Sequence, residues 1–370
     1  MADPFFESDA LFSWYDRHGR DLPWRRRWPE LAPAYHVWLS EIMLQQTVVN
    51  TVVPYFLEFI RRWPCIEDLA RASLDDILAA WAGLGYYARA RNLHKAAKFV
   101  AEECGGHFPK TSDGLHALPG VGPYTAGAIS AIAFGRRSVV IDGNIERVMA
   151  RFFGISKPLP AAKIEIGRHY AAIMPDERPS DFPQALMDFA NAVCTPKSAG
   201  CQSCQFSSQC KAFDDGMVEA LPVKPAKKAK ETRRGIAFVA RSCSGEAFLV
   251  RRQDSGMLGG MLAFPSNGWS KQDENFDFDA ALDAAPFPAE WQRLEKRVQH
   301  VFTHFKVEME VAVAVVTSPK NSANIADRGG WKPVKPADLP SLMRKVWEAA
   351  QTVAADPTNP PFNDKNVAFR

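Results

Sequence analysis

Apolar residues recur at helical spacing through the first part of the chain. Residues 35–60, YHVWLSEIMLQQTVVNTVVPYFLEFI, set apolar positions three and four apart with polar residues on the other side, which predicts a helix. Ser40 is its candidate cap, and Pro54 marks a bend or a new first turn. Residues 74–104 read as two helices separated at Gly83 and Gly85, the second basic at its start. YTAGAISAIAFG, residues 124–135, predicts a further apolar helix kept slim by alanine and glycine. The region is mainly helical, in helices of about 10–16 residues.

The pattern changes after Cys210. VEALPVKPAKKAKETRR, residues 218–234, carries six basic residues, two acidic ones and two prolines. It has too few apolar groups for a core and predicts an exposed linker. GIAFVARSCSGEAFLVRR then reads as two short strands around a Ser-Gly turn, and VEMEVAVAVV, residues 307–316, alternates as a longer strand. Residues 339–350 predict a closing helix. The expected organisation is a helical region over 1–217, a basic linker over 218–234, an α+β domain over 235–355 and a loosely ordered tail over 356–370.

Composition narrows the partners. With 46% hydrophobic and 24% charged residues the chain is an ordinary globular protein. A net charge of +3 permits a polyanionic partner but confines any basic footprint to local patches. No apolar run approaches the roughly 18 residues of a membrane span. The N-terminus lacks the basic-then-apolar pattern of an export signal, so the cytoplasm is the expected location. Seven cysteines, three of them scattered (Cys65, Cys104 and Cys243), do not form a disulfide framework.

Three local patterns carry candidate chemistry. The first is CTPKSAGCQSCQFSSQC, which places Cys194, Cys201, Cys204 and Cys210 in one loop. Four thiolates this close suit an iron–sulfur cubane, while a zinc site of two Cys-x2-Cys pairs is only half present; spacing leaves both open. In the second, LPGVGPYTAGA, Gly120 and Gly122 permit a tight turn that opens into a helix, with Pro123 at its first position. The exposed N–H groups of such a turn hold a phosphate without reading sequence. The third is VVIDGNIERVMARFFG, where Asp142 follows an apolar run and precedes a helix; read alone, it is a helix cap.

Together these patterns resemble a known family. The cysteine spacing is similar to the 4Fe–4S loop of the endonuclease III group, and residues 118–128 resemble the helix-hairpin-helix of DNA glycosylases. SEIMLQQT (40–47), GLGYYARARN (83–92) and LPWR (22–25) resemble the MutY-type adenine DNA glycosylases, and the likeness runs over essentially the full length. The resemblance implies a mainly α helix-hairpin-helix glycosylase fold with a 4Fe–4S cluster loop, plus a C-terminal α+β Nudix-like domain.

It also implies roles. Glu41 is the general acid toward adenine and Asp142 the carboxylate that stabilises the sugar; their opposite protonation states require unlike surroundings. Tyr124 stands where bifunctional relatives carry a Schiff-base lysine, which makes the enzyme monofunctional. Trp24, Arg25 and Gln184 line the base pocket. Gln45, Gln46, Thr47 and Tyr86 wedge the duplex, and Gly120, Gly122, Arg89, Arg91, Lys197 and Lys211 meet phosphates. The four cysteines hold one 4Fe–4S cluster. In the second domain Thr303 and His304, within FTH, read the lesion, while Leu262 and Ala263 depart from the family's Leu-Trp-Glu-Phe-Pro segment. No acidic string like the magnesium-binding Nudix box is present in the sequence, so recognition rather than diphosphate hydrolysis is expected. The implied partner is double-stranded DNA with 8-oxoG·A or G·A mispairs, bound by a monomer in the bacterial nucleoid. A thymine or oxidised-pyrimidine glycosylase, a non-catalytic DNA-binding protein and a zinc-stabilised scaffold are the rival readings.

Overall fold

The computed structural model describes residues 6–225, 229–253, 256–269, 277–316 and 329–352, and the tail expected at 356–370 lies outside them. Two compact units divide the chain, Met1–Lys227 and Lys228–Arg370. The first is helical: α1 (Ser8–His18), α2 (Ala34–Leu44), α3 (Val49–Arg62), α4 (Ile66–Arg71), α5 (Leu74–Ala80), α6 (Ala88–Glu103), α7 (Ser112–His116), α8 (Pro123–Phe134), α9 (Gly143–Phe152), α10 (Lys163–Ile173), α11 (Asp181–Ala192) and α12 (Lys211–Asp214). α2 packs on α8, and α11 packs on α1 and α9.

The single helix expected over 35–60 is two. α2 stops at Leu44, and Gln46 adopts φ 60°. That left-handed conformation costs a non-glycine residue about 1–2 kcal/mol. Arg89 holds the break. Its Nη1 donates to the carbonyls of Ile42 (3.2 Å), Met43 (2.7 Å) and Gln45, and its Nη2 to Leu84 O (2.9 Å) and Thr47 Oγ1 (3.0 Å). The α2 carbonyls among them are groups a helix C-terminus leaves without intrahelical partners. Ser40 is no cap: it is buried inside α2 and donates to Val37 O at 2.8 Å. Pro54 lies within α3. α2 is buried over most of its circumference, so its polar residues mark the interior rather than a wet face.

The hairpin is α7, a turn and α8. Thr111 Oγ1 caps α7 by accepting from Gly114 N at 3.2 Å. Gly120 has φ 79°, and a Cβ there would stand 2.9 Å from Asn92 Cβ, so this position requires glycine. Gly122 does not share the reason: it is the extended N-cap of α8, with φ −85° and Pro123 next at the first helical position. Inside α8, Gly127 lets the chain return closely, because a Cβ there would lie 2.6 Å from Val139 O. The incoming segment, tied by Ser138 Oγ to Ser130 Oγ at 2.9 Å, delivers Asp142 to the start of α9.

The second unit is a mixed sheet of β1 (Glu231–Ser242), β2 (Glu246–Arg251), β3 (Leu262–Ala263), β4 (Ser266–Gly268), β5 (Gln292–Arg293), β6 (Val298–Val301), β7 (Phe305–Val316) and β8 (Gly329–Pro333), with α13 (Phe278–Leu282) and α14 (Ser341–Ala350). β1 and β7 run parallel, in register from Glu231↔Phe305 to Ser242↔Val316, and the strand order is β3-β2-β1-β7-β5. Leu342, Met343 and Val346 of α14 share a core with Val239, Met309 and Val311. Leu262 is half-buried and Ala263 fully buried in β3. Both ends of the segment read as a linker are structured. Residues 231–234 belong to β1, and Leu221 is buried with its carbonyl accepting from Arg151 Nε at 3.1 Å. The iron–sulfur part of the expected fold class is not found, since no metal-holding group of His, Cys, Asp or Glu occurs among the described residues.

The Gly127 contact yields a test. Gly127→Ala adds a methyl against a carbonyl and is expected to lose about 1–3 kcal/mol despite the better helix propensity of alanine. A Cβ at Gly143 meets nothing within 4 Å, so Gly143→Ala is expected to stay within about 0.5 kcal/mol of the parent. Denaturant unfolding of the two variants checks the contrast.

Candidate active site

A cavity of about 760 Å³ in the helical unit is lined by Arg25, Glu41, Tyr124, Asp142, Asn144 and Gln184, among others. Glu41 comes from the middle of α2 and is 7% exposed. Burial lifts its carboxyl to about 7; the Tyr124 hydroxyl hydrogen-bonded to it pulls down, the Asp142 charge pushes up, and Arg25 pulls down. Desolvation dominates, as for any carboxylate taken out of water without a close ion pair. Burial, first, and the Glu41 and Asp142 charges raise the Tyr124 phenol well above its usual range, so it stays a neutral donor.

Asp142 meets different surroundings. It is the N-cap of α9: Oδ1 accepts from Asn144 N at 3.0 Å and Ile145 N at 2.7 Å, and Oδ2 accepts from Asn144 Nδ2 at 2.8 Å. Three N–H donors and the positive end of a helix face the carboxylate, which suits a negative charge. Asn144 is itself oriented by Arg147, whose Nη2 donates to its Oδ1 at 3.1 Å and to Ala190 O at 2.8 Å, and whose Nε donates to Cys194 O at 2.8 Å. Two carboxyls therefore face one cavity, one in an apolar helix face and one in a ring of donors.

The wall is built from the LPWR turn and α11. Trp24 is buried edge-to-face on Phe56 at 5.1 Å. Gln184 is buried, with Nε2 donating to Ser180 O at 2.8 Å. Arg25 is gripped by Asp188, one helical turn beyond Gln184: Nη1 reaches Oδ2 at 2.7 Å and Nη2 reaches Oδ1 at 3.1 Å. Asp188, Arg20, Asn144 and Arg147 escaped the sequence reading. A carboxylate at i+4 from Gln184, inside the otherwise apolar PQALMDFA, was the available signal for Asp188.

The remaining expected site residues divide. Gln45, Gln46, Thr47, Trp24 and Arg25 line the same cavity. Gln45 Nε2 also donates to Gly120 O at 3.4 Å, which brings the α2 break beside the hairpin turn. Tyr86 is half exposed with φ 46°. Arg91 lies part-buried on α6 and Lys197 is exposed. Lys211 opens α12 and packs its methylenes beside Gly154. Arg89 differs from expectation: it is buried, burial pulls its guanidinium down to about 10, and its donors go to backbone carbonyls rather than to a surface where a phosphate would sit. In the second unit Thr303 and His304 are exposed at the tip of the β6–β7 hairpin, closed by Phe302 N to Phe305 O at 2.8 Å.

The expected 4Fe–4S cluster is corrected. Among the described residues no group of three or more His, Cys, Asp or Glu side chains is arranged to hold a metal ion. Cys194, Cys201, Cys204 and Cys210 are free cysteines. The space they border also touches Phe6, Phe152, Phe189 and Phe206 and measures about 30 Å³, room on the order of a water molecule or two. Burial pushes the Cys204 thiol up to about 11 and raises Cys201 and Cys210. As the loop stands it is a packing element: Arg151 Nη1 donates to Thr195 O at 2.7 Å and approaches Cys194 Sγ at 3.3 Å, and Phe6 stacks on Phe206 at 4.6 Å. The fold class, the cofactor and the metal-binding expectation are revised together.

Comparisons with known proteins identify the family. The family profile described as "HhH-GPD superfamily base excision DNA repair protein" matches residues 39–168, and a Nudix domain profile matches residues 236–349. The human adenine DNA glycosylase is 33% identical over 92% of this chain and 73% of its own length, and the mouse enzyme 35% identical over 94% and 78%. The solved structure of a thermostable thymine-DNA glycosylase superposes with a TM-score of 0.50 at 26% identity, covering 56% of this chain and 94% of that one. The helical unit has the fold of the helix-hairpin-helix base excision repair proteins, joined to a Nudix-like unit. Within that superfamily the chain belongs to the adenine DNA glycosylases.

The buried acid leaves a signature in stability. A carboxyl raised from 4.5 to about 7 holds its proton in the folded state when the unfolded chain has released it. Its contribution is fully present below pH 4.5 and is lost as pH rises through about 7, a change on the order of 3 kcal/mol. Glu41→Gln removes the titration. The variant is therefore expected to gain stability over the parent between pH 5 and pH 8, read as the difference in urea unfolding free energy at the two pH values.

Proposed function

We propose that Glu41 protonates adenine and Asp142 stabilises the sugar in an enzyme that removes adenine opposite 8-oxoguanine or guanine. The chain's activity is that of its family: it is a monofunctional adenine DNA glycosylase of base excision repair that acts on double-stranded DNA. No helix among the described residues is long and apolar enough to cross a membrane. We place the reaction at the bacterial nucleoid, where its duplex substrate lies.

The observation that carries the reading is the contrast between two carboxyls on one cavity. Adenine is a poor anionic leaving group, so its departure needs a proton on the ring. With its carboxyl lifted to about 7, Glu41 holds that proton in a large fraction of molecules near neutral pH. As the glycosidic bond breaks, the sugar gathers positive charge. Asp142, carrying negative charge within its ring of donors, answers it electrostatically. Adenine leaves with both bonding electrons and the proton from Glu41; water then adds to the sugar carbon and gives up one proton, which returns Glu41 to its acid form. The Tyr124 hydroxyl, hydrogen-bonded to Glu41, fixes the carboxyl's orientation and has no amine to form an imine. Adenine reaches the cavity only when extruded from the stack, at a cost of a few kcal/mol, least at a mispair. Gln45, Gln46, Thr47 and Tyr86 take the wedge role, Gly120, Gly122, Arg91, Lys197 and Lys211 the phosphate contacts, and Thr303 and His304 the lesion contact.

Incubation with an 8-oxoG·A duplex is expected to release free adenine, with strand cleavage only after alkali. Strand cleavage without alkali, or release of thymine from G·T instead, overturns the reading. Asp142→Asn is expected to lose about 10²–10⁴-fold in single-turnover rate while binding the duplex. The parent rate is expected to fall as pH rises through about 7, as Glu41 loses its proton, and that limb to vanish with Glu41→Gln.

A further inference from the structure

Asp188 is a buried charge to which the mechanism gives no task. Asp188 is 2% exposed and sits on α11, one turn from Gln184. Two guanidinium groups converge on it. Arg20 reaches Oδ1 through Nε at 2.7 Å and Nη2 at 2.6 Å, and its backbone N reaches Oδ2 at 2.8 Å. Arg25 meets the same carboxylate with both terminal nitrogens, and its Nη1 also contacts Arg20 O at 3.3 Å. Burial pushes the Asp188 carboxyl up, but the hydrogen bonds and charges of the two arginines outweigh it and hold the group below its usual range.

A two-pronged arginine–carboxylate pair fixes a plane as well as a distance. Arg25 borders the cavity, as does Arg20; Asp188 stands behind them, outside the lining. The grip uses the terminal nitrogens and leaves Nε–H and an Nη2–H for an acceptor on the cavity side. Ring nitrogens of a purine are acceptors of that kind.

We propose that Asp188 is a positioning residue for base excision: it clamps Arg25 flat against the cavity wall, so that Arg25 aligns the extruded purine under Glu41. This rests on the cavity being the adenine site and deepens that reading. A merely structural salt bridge would stabilise the turn at residues 20–25 and leave the chemical step unchanged. A clamp acts on the chemical step through the arginines it holds, above all Arg25, whose charge reaches Glu41. It also changes the charge that Glu41 feels. Glu41 faces Tyr124 from α8, Asp142 from the start of α9 and Arg25 from the turn before α2, with the Asp188 charge behind Arg25 partly cancelling its field.

The test is a double-mutant cycle on an 8-oxoG·A duplex, with single-turnover rate, duplex affinity and rate–pH profile read for each enzyme. Asp188→Asn is expected to lose about 10²-fold in rate, the effect of a misplacement near 1 Å, with affinity changed less than about 3-fold. Its upper pH limb is expected to move to lower pH, because the unbalanced Arg25 charge favours ionised Glu41. In an Arg25→Gln background, Asp188→Asn is expected to add little, since both act through one contact. Parent-like rate in Asp188→Asn, or an equal loss in both backgrounds with an unmoved pH limb, overturns the proposal. If Asp188→Asn does not fold, Arg25→Lys decides: it keeps the charge but loses the planar fork, and a parent-like rate there rejects the clamp. Glu41→Gln run alongside separates the two readings, because an inactive Glu41→Gln beside a fully active Asp188→Asn rejects only the clamp.

Discussion

The site depends on keeping one carboxyl dry. Glu41 projects from a helix buried over most of its surface, so that little of its own surface meets solvent. The neighbouring carboxyl is treated in the opposite way, surrounded by N–H groups at a helix start. Two chemically similar side chains then meet opposite surroundings within one cavity. Helix packing, more than any special residue, creates the difference: α2 must be deep for Glu41 to be raised, and α9 must begin at the cavity for Asp142 to be solvated by backbone.

The rest of the helical unit can be read as support for that placement. Gly127 admits the segment that carries Asp142. Arg147 ties α9 to the end of α11 and to Cys194 O. The cysteine loop enters here as packing, with Phe206 stacked on Phe6 and edge-on to Phe152 and Phe189. A loop containing four sulfurs among phenylalanines is a soft, polarisable wall for the helices it touches.

Much of this was legible in the sequence. The hairpin, the α8 helix, the strand after Val307 and the closing helix all follow from local spacing and turn residues. The Asp142 cap was visible because capping is local. What was lost is what depends on tertiary contact. The break between α2 and α3 has no glycine or proline at Gln46; it is imposed by Arg89, more than 40 residues away in sequence, and periodicity alone predicts one helix. The same arginine read as a phosphate contact because a basic residue in a Gly-Tyr-rich stretch carries no sign of its burial. Asp188 was hidden for the converse reason, a buried charge whose partners lie about 165 residues back. The metal expectation came from the resemblance of the cysteine loop to a family's, since spacing left two metals open, and neither reports how little room the folded loop leaves between its sulfurs.

The Arg89 arrangement has a further bearing on how the protein meets a double helix. Residues 45–47 are pinned by hydrogen bonds from one interior cation to Gln45 O and Thr47 Oγ1, with Gln46 between them in the left-handed region. Their conformational freedom was surrendered when the chain folded, so the edge they present is already rigid at first encounter. On the wedge reading, separating stacked bases then requires no simultaneous ordering of the protein. A searching enzyme that tests many base pairs and extrudes few gains from such stiffness, because each unproductive probe leaves its own conformation unchanged.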